Sequence, residues 1–170
     1  MIRPARQDDA AILADVGFRA WQDKLSVWAS SPDDAAAIIP NAKAAFASFT
    51  RDGWQTILVA QIDGAIVGWG ARENGDHTIS DLWVDPSLQH HGAGSALLIQ
   101  LENDMVAAGY KVAALETHAR NEAAIAFYQR RGYAVKWLST KYAAGLDRDI
   151  EKVGMEKSLT ARVEASDAVD

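Results

Sequence analysis

The chain has 170 residues, of which 49% are hydrophobic and 24% are charged, a composition typical of one globular domain rather than of a disordered or fibrous protein. Its net charge of −6 argues against general nucleic-acid binding, which requires a basic surface. Because the sequence has no cysteine, disulfides and thiol nucleophiles are excluded, and a metal would depend on histidines and carboxylates.

The sequence predicts neither a membrane helix nor a secretion signal. No segment approaches the roughly 20 apolar residues that a membrane-spanning helix needs. The N-terminal residues MIRPARQDDA lack the apolar core of a signal peptide. We therefore expect a cytoplasmic protein that does not contact membranes.

The first third of the chain predicts a strand followed by helices. Residues 2–6 (IRPAR) favour a short strand, and Asp8 and Asp9 offer N-cap oxygens to a helix with apolar residues at helical spacing. Ser31 before a proline predicts a second helix start. Pro40 within that second helix implies a kink or two shorter helices.

An antiparallel meander is predicted between residues 56 and 84. TILVAQI and AIVGWGARE are rich in residues that favour strands, and Asp63-Gly64 between them is a pair favoured in two-residue hairpins. The pair Asn74-Gly75 repeats this signal, so a third strand is expected at HTISDLWV, residues 77–84.

The second half of the chain predicts a strand-helix-strand arrangement. SALLIQLENDMVAAG has the period of an amphipathic helix that closes at Gly109. KVAALET is typical of a buried strand, and a further helix is expected from Asn121 to Gly132. The last two strands are expected near YAVKWLST and IEKVGMEKSL.

Together these elements predict an α/β (α+β) fold with a single mixed, mostly antiparallel sheet and helices on both faces. We expect one domain over residues 1–160. A frayed tail is expected over residues 161–170, which have little to bury.

The stretch QHHGAGSALL, residues 89–98, suggests a phosphate site. It is not a GxxxxGK(S/T) phosphate loop, because no lysine follows Gly94, and it is not a dinucleotide motif, because a seven-residue loop precedes Gly92 and the third glycine is absent. Two interpretations stay open. Backbone N–H groups from about His91 to Ser95 form an anion cradle at a helix N-terminus, or a helix start merely contains two glycines.

The two adjacent histidines of this stretch, His90 and His91, do not predict a metal site. Neighbouring side chains in an extended loop point apart, and the sequence has neither cysteine nor an HxxxH spacing to complete a ligand set. We expect no bound metal.

A second constellation lies in NEAAIAFYQRRGY, residues 121–133. Asn121 at the helix start and Tyr128 two turns later share one helix face, roughly 10 Å apart. A linear ligand with an amide would bond to Asn121 while its far end meets Tyr128. The simpler alternative is an N-cap and an aromatic core residue.

In order and spacing, the two motifs resemble those of the GCN5-related N-acetyltransferase (GNAT) family. The resemblance covers nearly the whole chain and is firmest over residues 78–133. Gln89, Gly92 and Gly94 match the family pattern Q/R-x-x-G-x-G/A. His90 departs from it, since many members have glycine there, although histidine tolerates positive φ better than most residues.

The resemblance implies acetyl-CoA as co-substrate. By this analogy the strand that ends at Val84 pairs with the pantetheine arm, the glycine loop binds the pyrophosphate through backbone amides, and the thioester lies in a gap between that strand and KVAALET. The implied cofactor-binding residues are Leu82, Trp83, Val84, Gln89, His90, His91, Gly92, Ala93, Gly94, Ser95 and Asn121.

The implied reaction is attack of a neutral amine on the thioester through a tetrahedral intermediate. Tyr128 would donate a hydrogen bond to the leaving thiolate, and the backbone amide of Val84 would stabilise the oxyanion. An amine of pKa ~10.4 is almost fully protonated at pH 7, so a base is needed. Asp81 is the predicted base, with Glu116 or a water relay as alternatives.

The acceptor is not defined by the sequence. A small-molecule amine, a protein N-terminus and a lysine side chain all fit, and a homodimer is compatible with the family. Two non-enzymatic alternatives also stay open: an acyl-CoA-binding regulatory module without turnover, and an interaction domain that reuses the fold. Candidates to shape an acceptor pocket are Phe18, Trp21, Trp28, Trp137 and the loop STKYAAGLDRD.

Overall fold

The computed structural model describes residues 1–159, in which one strand and three helices come first, then four strands, and then two helices interspersed with three strands. The tail expected at residues 161–170 lies outside the described residues. The helices are α1 (Ala10–Gln22), α2 (Leu25–Trp28), α3 (Pro32–Gly53), α4 (Ala93–Ala107) and α5 (Glu122–Gln129). The strands are β1 (Ile2–Pro4), β2 (Ile57–Ile62), β3 (Ala65–Ala71), β4 (Thr78–Ile79), β5 (Asp81–Val84), β6 (Val112–His118), β7 (Ala134–Ala143) and β8 (Arg148–Ser158).

The sheet is mixed and mostly antiparallel, and its hydrogen bonds divide it into two four-stranded halves. One half has the order β1-β2-β3-β5 and is antiparallel throughout. The other half has the order β4-β6-β8-β7 and contains one parallel pair, β4 with β6. Only Ser80 separates β4 from β5, so the predicted third strand of the meander belongs to both halves. The fold class expected from the sequence is confirmed.

The sheet opens where β5 diverges from β6. Thr78 and Ile79 pair with β6, but from Asp81 onward the chain pairs with β3 instead. The end of β6, which includes Glu116 and His118, pairs only with β8. A gap therefore separates the end of β5 from the end of β6, where the resemblance placed it.

Helices cover both faces of the half that contains β5. Leu13 of α1 packs with Val59 and Trp69 on one face, where Phe46 and Phe49 of α3 join the cluster. Ala93 and Leu97 of α4 pack with Ala60 and Val67 on the other face. Full burial of an aliphatic side chain such as Leu13 or Leu97 contributes about 1.5–3 kcal/mol to the stability of the fold.

The helix α4 also reaches the second half of the sheet. Its Leu98, Leu101 and Met105 pack with Leu115 of β6 and Met155 of β8. Because α4 is apolar toward both halves, it links them and holds its own N-terminus beside the gap. Among the helices of residues 1–159, none combines the length and the apolar character that a membrane crossing requires.

One predicted helix cap is wrong. Asp9 directs its carboxylate to the backbone N–H of Arg6 (2.7 Å) and to the Arg3 guanidinium (2.7 and 3.0 Å), and no side-chain cap of α1 forms. The charged partner explains this choice, because a bidentate guanidinium bond is stronger than a bond to a neutral amide.

Two predictions about irregular segments are also corrected. Of the two alternatives for Pro40, the division into two shorter helices is wrong, since α3 is continuous and buries Ile38 and Ala42 on either side of the proline. The predicted loop STKYAAGLDRD is largely strand, because β7 continues to Ala143 and β8 begins at Arg148.

Candidate functional site

A cleft of about 720 Å³ lies at the gap in the sheet, a volume common for ligand pockets. The end of β5, the N-terminus of α4 and one face of α5 line it. Ala20 of α1 and Lys24, which follows α1, line it too, although α1 packs on the opposite face of the sheet from α4. The cleft therefore passes through the gap from one face to the other.

Most of the predicted site residues meet in this cleft. The loop and strand residues come together because β5 leads directly through a short 3₁₀ turn (Pro86–Leu88) to the start of α4. The predicted residues that line the cleft are Leu82, Trp83, Val84, Gln89, His90, Gly92, Ala93, Gly94, Ser95, Asn121 and Tyr128.

The loop before α4 contains two residues in the left-handed conformation. His90 and Gly92 adopt positive φ angles of 68° and 84°. Gly92 is the N-cap of α4, and its carbonyl accepts the N–H of Ala96 at 2.9 Å. The preceding first-turn N–H groups have no acceptor within the helix and are available to a ligand, as at any helix N-terminus.

The two glycines of this loop differ in what they require. A Cβ at Gly92 would meet no atom within 4 Å, so its positive φ, rather than crowding, favours glycine there. A Cβ at Gly94 would lie 3.4 Å from a methyl of Val84 and 3.5 Å from the ring of Phe127, which is ordinary contact.

The N-cap predicted as the simpler alternative for the α5 motif is present in the structure. Asn121 is the N-cap of α5, and its Oδ1 accepts the N–H of Ala124 at 3.2 Å. Its side-chain NH₂ group makes no hydrogen bond within residues 1–159, and Asn121 lines the cleft. The cap therefore holds the side-chain amide of Asn121 through its oxygen and leaves its NH₂ group unused.

Tyr128 is a core residue whose hydroxyl reaches the cleft. The side chain is 9% exposed, with edge contacts to the rings of Phe127 (5.1 Å) and Tyr133 (5.6 Å). Its hydroxyl has no hydrogen-bond partner within residues 1–159. Every fully buried polar side-chain atom of those residues does have a partner, so the unpaired hydroxyl must be accessible from the cleft that Tyr128 lines. The hydroxyl is thus held at the cleft wall by packing alone.

Asp81 lies beside the cleft rather than in its lining. Its carboxylate accepts the indole N–H of Trp83 at 2.9 Å, and Trp83 does line the cleft. Burial raises the pKa of Asp81. Burial, followed by the negative charge of Asp81, also raises the pKa of Tyr128. A phenol with a raised pKa is a poorer proton donor, which favours hydrogen-bond donation over full proton transfer.

Glu116 and His91 lie outside the cleft lining. Glu116 forms ion pairs with the Nζ atoms of Lys141 (2.6 Å) and Lys152 (3.7 Å) on the exposed side of the sheet. His91 is exposed, and its Nδ1 lies 2.9 Å from the carbonyl oxygen of Gln89. Of the two predicted carboxylates, Asp81 is the one that contacts a residue of the cleft lining, Trp83.

The basic lining of the cleft was missed by the sequence reasoning. The charged residues that line it within residues 1–159 are Lys24, Arg130 and Arg131, whereas the whole chain has a net charge of −6. The pair Arg130-Arg131 follows Tyr128 after one intervening residue, Gln129, and its position at the C-terminal end of the motif helix was the available signal. A positive cleft in an acidic protein concentrates anionic ligands.

Three of the four aromatic residues expected around the acceptor stack on one another, outside the cleft lining. Phe18, Trp21 and Trp28 stack in sequence at 5.9 and 6.3 Å, and Trp28 meets the ring of His118 edge-on at 5.6 Å. Burial lowers the pKa of His118. Trp137 is elsewhere, with its indole placed across Gly154 of β8.

The hairpin between β7 and β8 closes this side of the molecule. Leu146 at its tip is 8% exposed and packs with Trp21 and Ile38. Arg148, where β8 begins beside the tip, forms a bidentate ion pair with Asp34 near the start of α3. Within residues 1–159, no group of three or more His, Asp and Glu side chains is arranged to hold a metal ion.

Comparison with known proteins finds acetyltransferases. The model of the acetyltransferase (GNAT) family matches residues 18–133. An IAA acetyltransferase of Azospirillum brasilense is 33% identical over 81 residues, which are 45% of this chain and 53% of that protein. The chain thus aligns with about half the length of this curated relative.

Solved structures show the same fold over nearly the whole chain. A GCN5-related N-acetyltransferase from Rhodopseudomonas palustris has a TM-score of 0.74 and 26% identity, with 93% of this chain and 94% of that chain covered. The PaiA N-acetyltransferase from Thermoplasma acidophilum, solved in complex with coenzyme A, has a TM-score of 0.70 and 20% identity, with coverage of 93% and 98%.

Proposed function

The chain belongs to the acetyltransferase (GNAT) family, and we propose that it is an N-acetyltransferase that moves the acetyl group of acetyl-CoA to a primary amine. The observation that carries this proposal is the cleft, which runs from the first turn of α4 to the hydroxyl of Tyr128 and passes through the sheet. Donor and acceptor can therefore approach the same point from opposite faces.

The residues of the cleft fit the chemistry of acetyl-CoA. First-turn amides of α4 and the basic side chains suit its phosphates. The end of β5 from Leu82 to Val84 faces the gap and suits the amides of the pantetheine arm, and the side-chain NH₂ of Asn121 offers a further donor. When bound, acetyl-CoA supplies the activated acyl group.

The side chains near the gap are suited to the two proton problems of the reaction. Asp81, with its raised pKa, accepts the proton of the acceptor amine, directly or through water. Tyr128 donates a hydrogen bond as the carbon-sulfur bond breaks. The backbone amide of Val84 stabilises the negative charge that develops on the carbonyl oxygen.

Calorimetry with coenzyme A, followed by thiol-release assays with acetyl-CoA and a panel of amines, tests the proposal. The panel contains small primary amines, peptides with a free N-terminus and peptides with an internal lysine. Binding together with turnover supports an enzyme. Binding without turnover on any amine supports the alternative of a regulatory module, and absence of binding contradicts both.

A further inference from the structure

Arg131 forms an unusually complete set of contacts at the start of α4. Its Nε donates to the Oγ of Ser95 at 3.1 Å, and a second guanidinium nitrogen donates to the same Oγ. The third nitrogen donates to the carbonyl of Phe127 at 2.9 Å, and the guanidinium carbon lies 3.6 Å from the centroid of the Phe127 ring. The arginine is therefore fixed in position by both helices.

This arrangement determines whether the Ser95 hydroxyl can donate or accept a further hydrogen bond. A hydroxyl has one hydrogen to donate and two lone pairs to accept with. Two N–H groups of Arg131 occupy both lone pairs, so Ser95 has only its hydrogen left to offer. Ser95 lines the cleft in the first turn of α4, where the backbone N–H groups also lack acceptors.

The charge of Arg131 strengthens that donor. Hydrogen bonds from a cation polarise the group that accepts them, so the Ser95 hydrogen becomes more positive. A strengthened donor beside unpaired N–H groups and a basic lining requires an acceptor with a full negative charge. Of the parts of a coenzyme A thioester, only the phosphates meet that requirement.

We propose that Arg131 is a positioning residue that makes Ser95 an obligate hydrogen-bond donor to a phosphate of the acyl donor. The Arg131–Ser95 pair then selects phosphate-bearing thioesters over thioesters that lack phosphate. The inference rests on the proposed function and goes further. It assigns the preference for a phosphate-bearing acyl donor to Arg131, which lies just beyond the C-terminal end of α5.

Three variants and one control test this pair. The variants are Ser95→Ala, Arg131→Gln and the double variant, and the control is Arg51→Gln on α3, whose arginine pairs with Asp52 and is 66% exposed. Arg51→Gln removes the same charge away from the cleft. For each protein we would measure the Kd of coenzyme A and kcat/KM for two donors, acetyl-CoA and the phosphate-free S-acetyl-N-acetylcysteamine.

We expect Ser95→Ala and Arg131→Gln each to weaken coenzyme A binding and kcat/KM for acetyl-CoA by about tenfold. The loss in the double variant should equal the larger of the two single-variant losses within about twofold, since the two residues act as one unit. Reactivity with the phosphate-free donor should stay within about twofold of wild type, which also reports that each variant is folded.

Four results would overturn the inference: no loss with acetyl-CoA, equal loss with both donors, multiplicative loss in the double variant, or a similar loss in Arg51→Gln. Failure of the proposed function would look different, because the wild-type protein would then neither bind coenzyme A nor react with either donor.

Discussion

The two sides of the cleft are assembled in different ways. On the donor side, Gly92 and Asn121 cap their own helices, and Arg131 bonds to Phe127 four positions earlier. On the acceptor side, Arg120 bonds to the carbonyl of Val27 across 93 positions, and Arg148 pairs with Asp34 across 114 positions.

This difference indicates where family chemistry and individual specificity reside. Contacts between near neighbours in sequence survive changes elsewhere in the chain, so short motifs specify most of the donor side, and the Arg131–Ser95 contact joins two such motifs across 36 positions. The acceptor side depends on distant segments meeting correctly. Substitutions on the donor side should therefore alter the chemistry or the affinity for acetyl-CoA, whereas those on the acceptor side should alter the use of the amine.

The largest effect is expected from Asp81→Asn, which keeps the shape and the bond to Trp83 but removes the base. We expect kcat to fall by about a thousandfold in acetyl-transfer assays. Glu116→Gln is the matched control and should change kcat by less than about threefold, because Glu116 is held by lysines outside the cleft. A larger loss in Glu116→Gln would reverse the assignment of the base.

The same variant gives a pH test. Burial raises the pKa of Asp81, so the folded protein retains this proton above the ordinary carboxyl value of 3.8. In the wild type, the free energy of unfolding should therefore fall as pH rises from that value through the raised pKa. Activity should increase as pH rises through the raised pKa, because the ionised carboxylate is the form that acts as a base. In Asp81→Asn, the pH dependence of the free energy of unfolding, measured by urea unfolding, should be lost. The pH dependence of activity, measured as a pH-rate profile, should be lost as well.

Tyr128→Phe is expected to lower kcat by about a hundredfold while the Kd of coenzyme A changes by less than about twofold. The ring keeps its contacts with Phe127 and Tyr133, so only the donor hydroxyl is lost. Equal losses in turnover and in binding would show that the residue is structural.

Gly92→Val probes the cradle and should weaken coenzyme A binding by about tenfold, because a β-branched residue at a φ of 84° strains the cap of α4. Gly75→Val is the matched control, since Gly75 has a φ of 65°, with open space around it, in a turn outside the cleft lining. Both variants should lose stability, but unchanged affinity in Gly92→Val would contradict the cradle.

A smaller effect is expected on the acceptor side from Asp34→Asn. Loss of the bidentate bond to Arg148 loosens the β7–β8 hairpin, so the KM for the amine should rise by about threefold with the KM for acetyl-CoA unchanged. Steady-state kinetics with each substrate varied in turn would separate the two values. A change confined to acetyl-CoA would break the proposed division between the two sides.

The smallest effect concerns stability around His118. Burial lowers its pKa, and Arg120 and Lys152 oppose the charged form while Glu151 favours it. The unfolded chain therefore binds the proton first as pH falls through the ordinary value of 6.5, and the wild type loses stability there. His118→Gln should show a flatter dependence of the unfolding free energy below that pH. An unchanged slope would mean that the imidazole binds its proton at the same pH in the folded and the unfolded chain.

Much of the fold was predictable because its signals are local. Hairpin pairs such as Asp63-Gly64 and helix-closing glycines such as Gly109 specify turns through their positive φ angles, and the alternation of apolar residues specifies the elements between them. The failures came where a distant or charged partner competed with a local signal. Asp9 turned to Arg3, and buried flanking residues kept α3 continuous through Pro40.

By itself, the sequence determined the order of elements, the helix start at Gly92 and the capped helix that carries Asn121 and Tyr128, because each depends on backbone preferences within a few residues. Only the tertiary structure decided at which residue the sheet opens, that Asp81 is partly buried near Tyr128 while Glu116 is held by two lysines, and that Arg131 reaches Ser95. Burial and charge pairing depend on which distant segments meet, and those properties set the chemistry of the cleft.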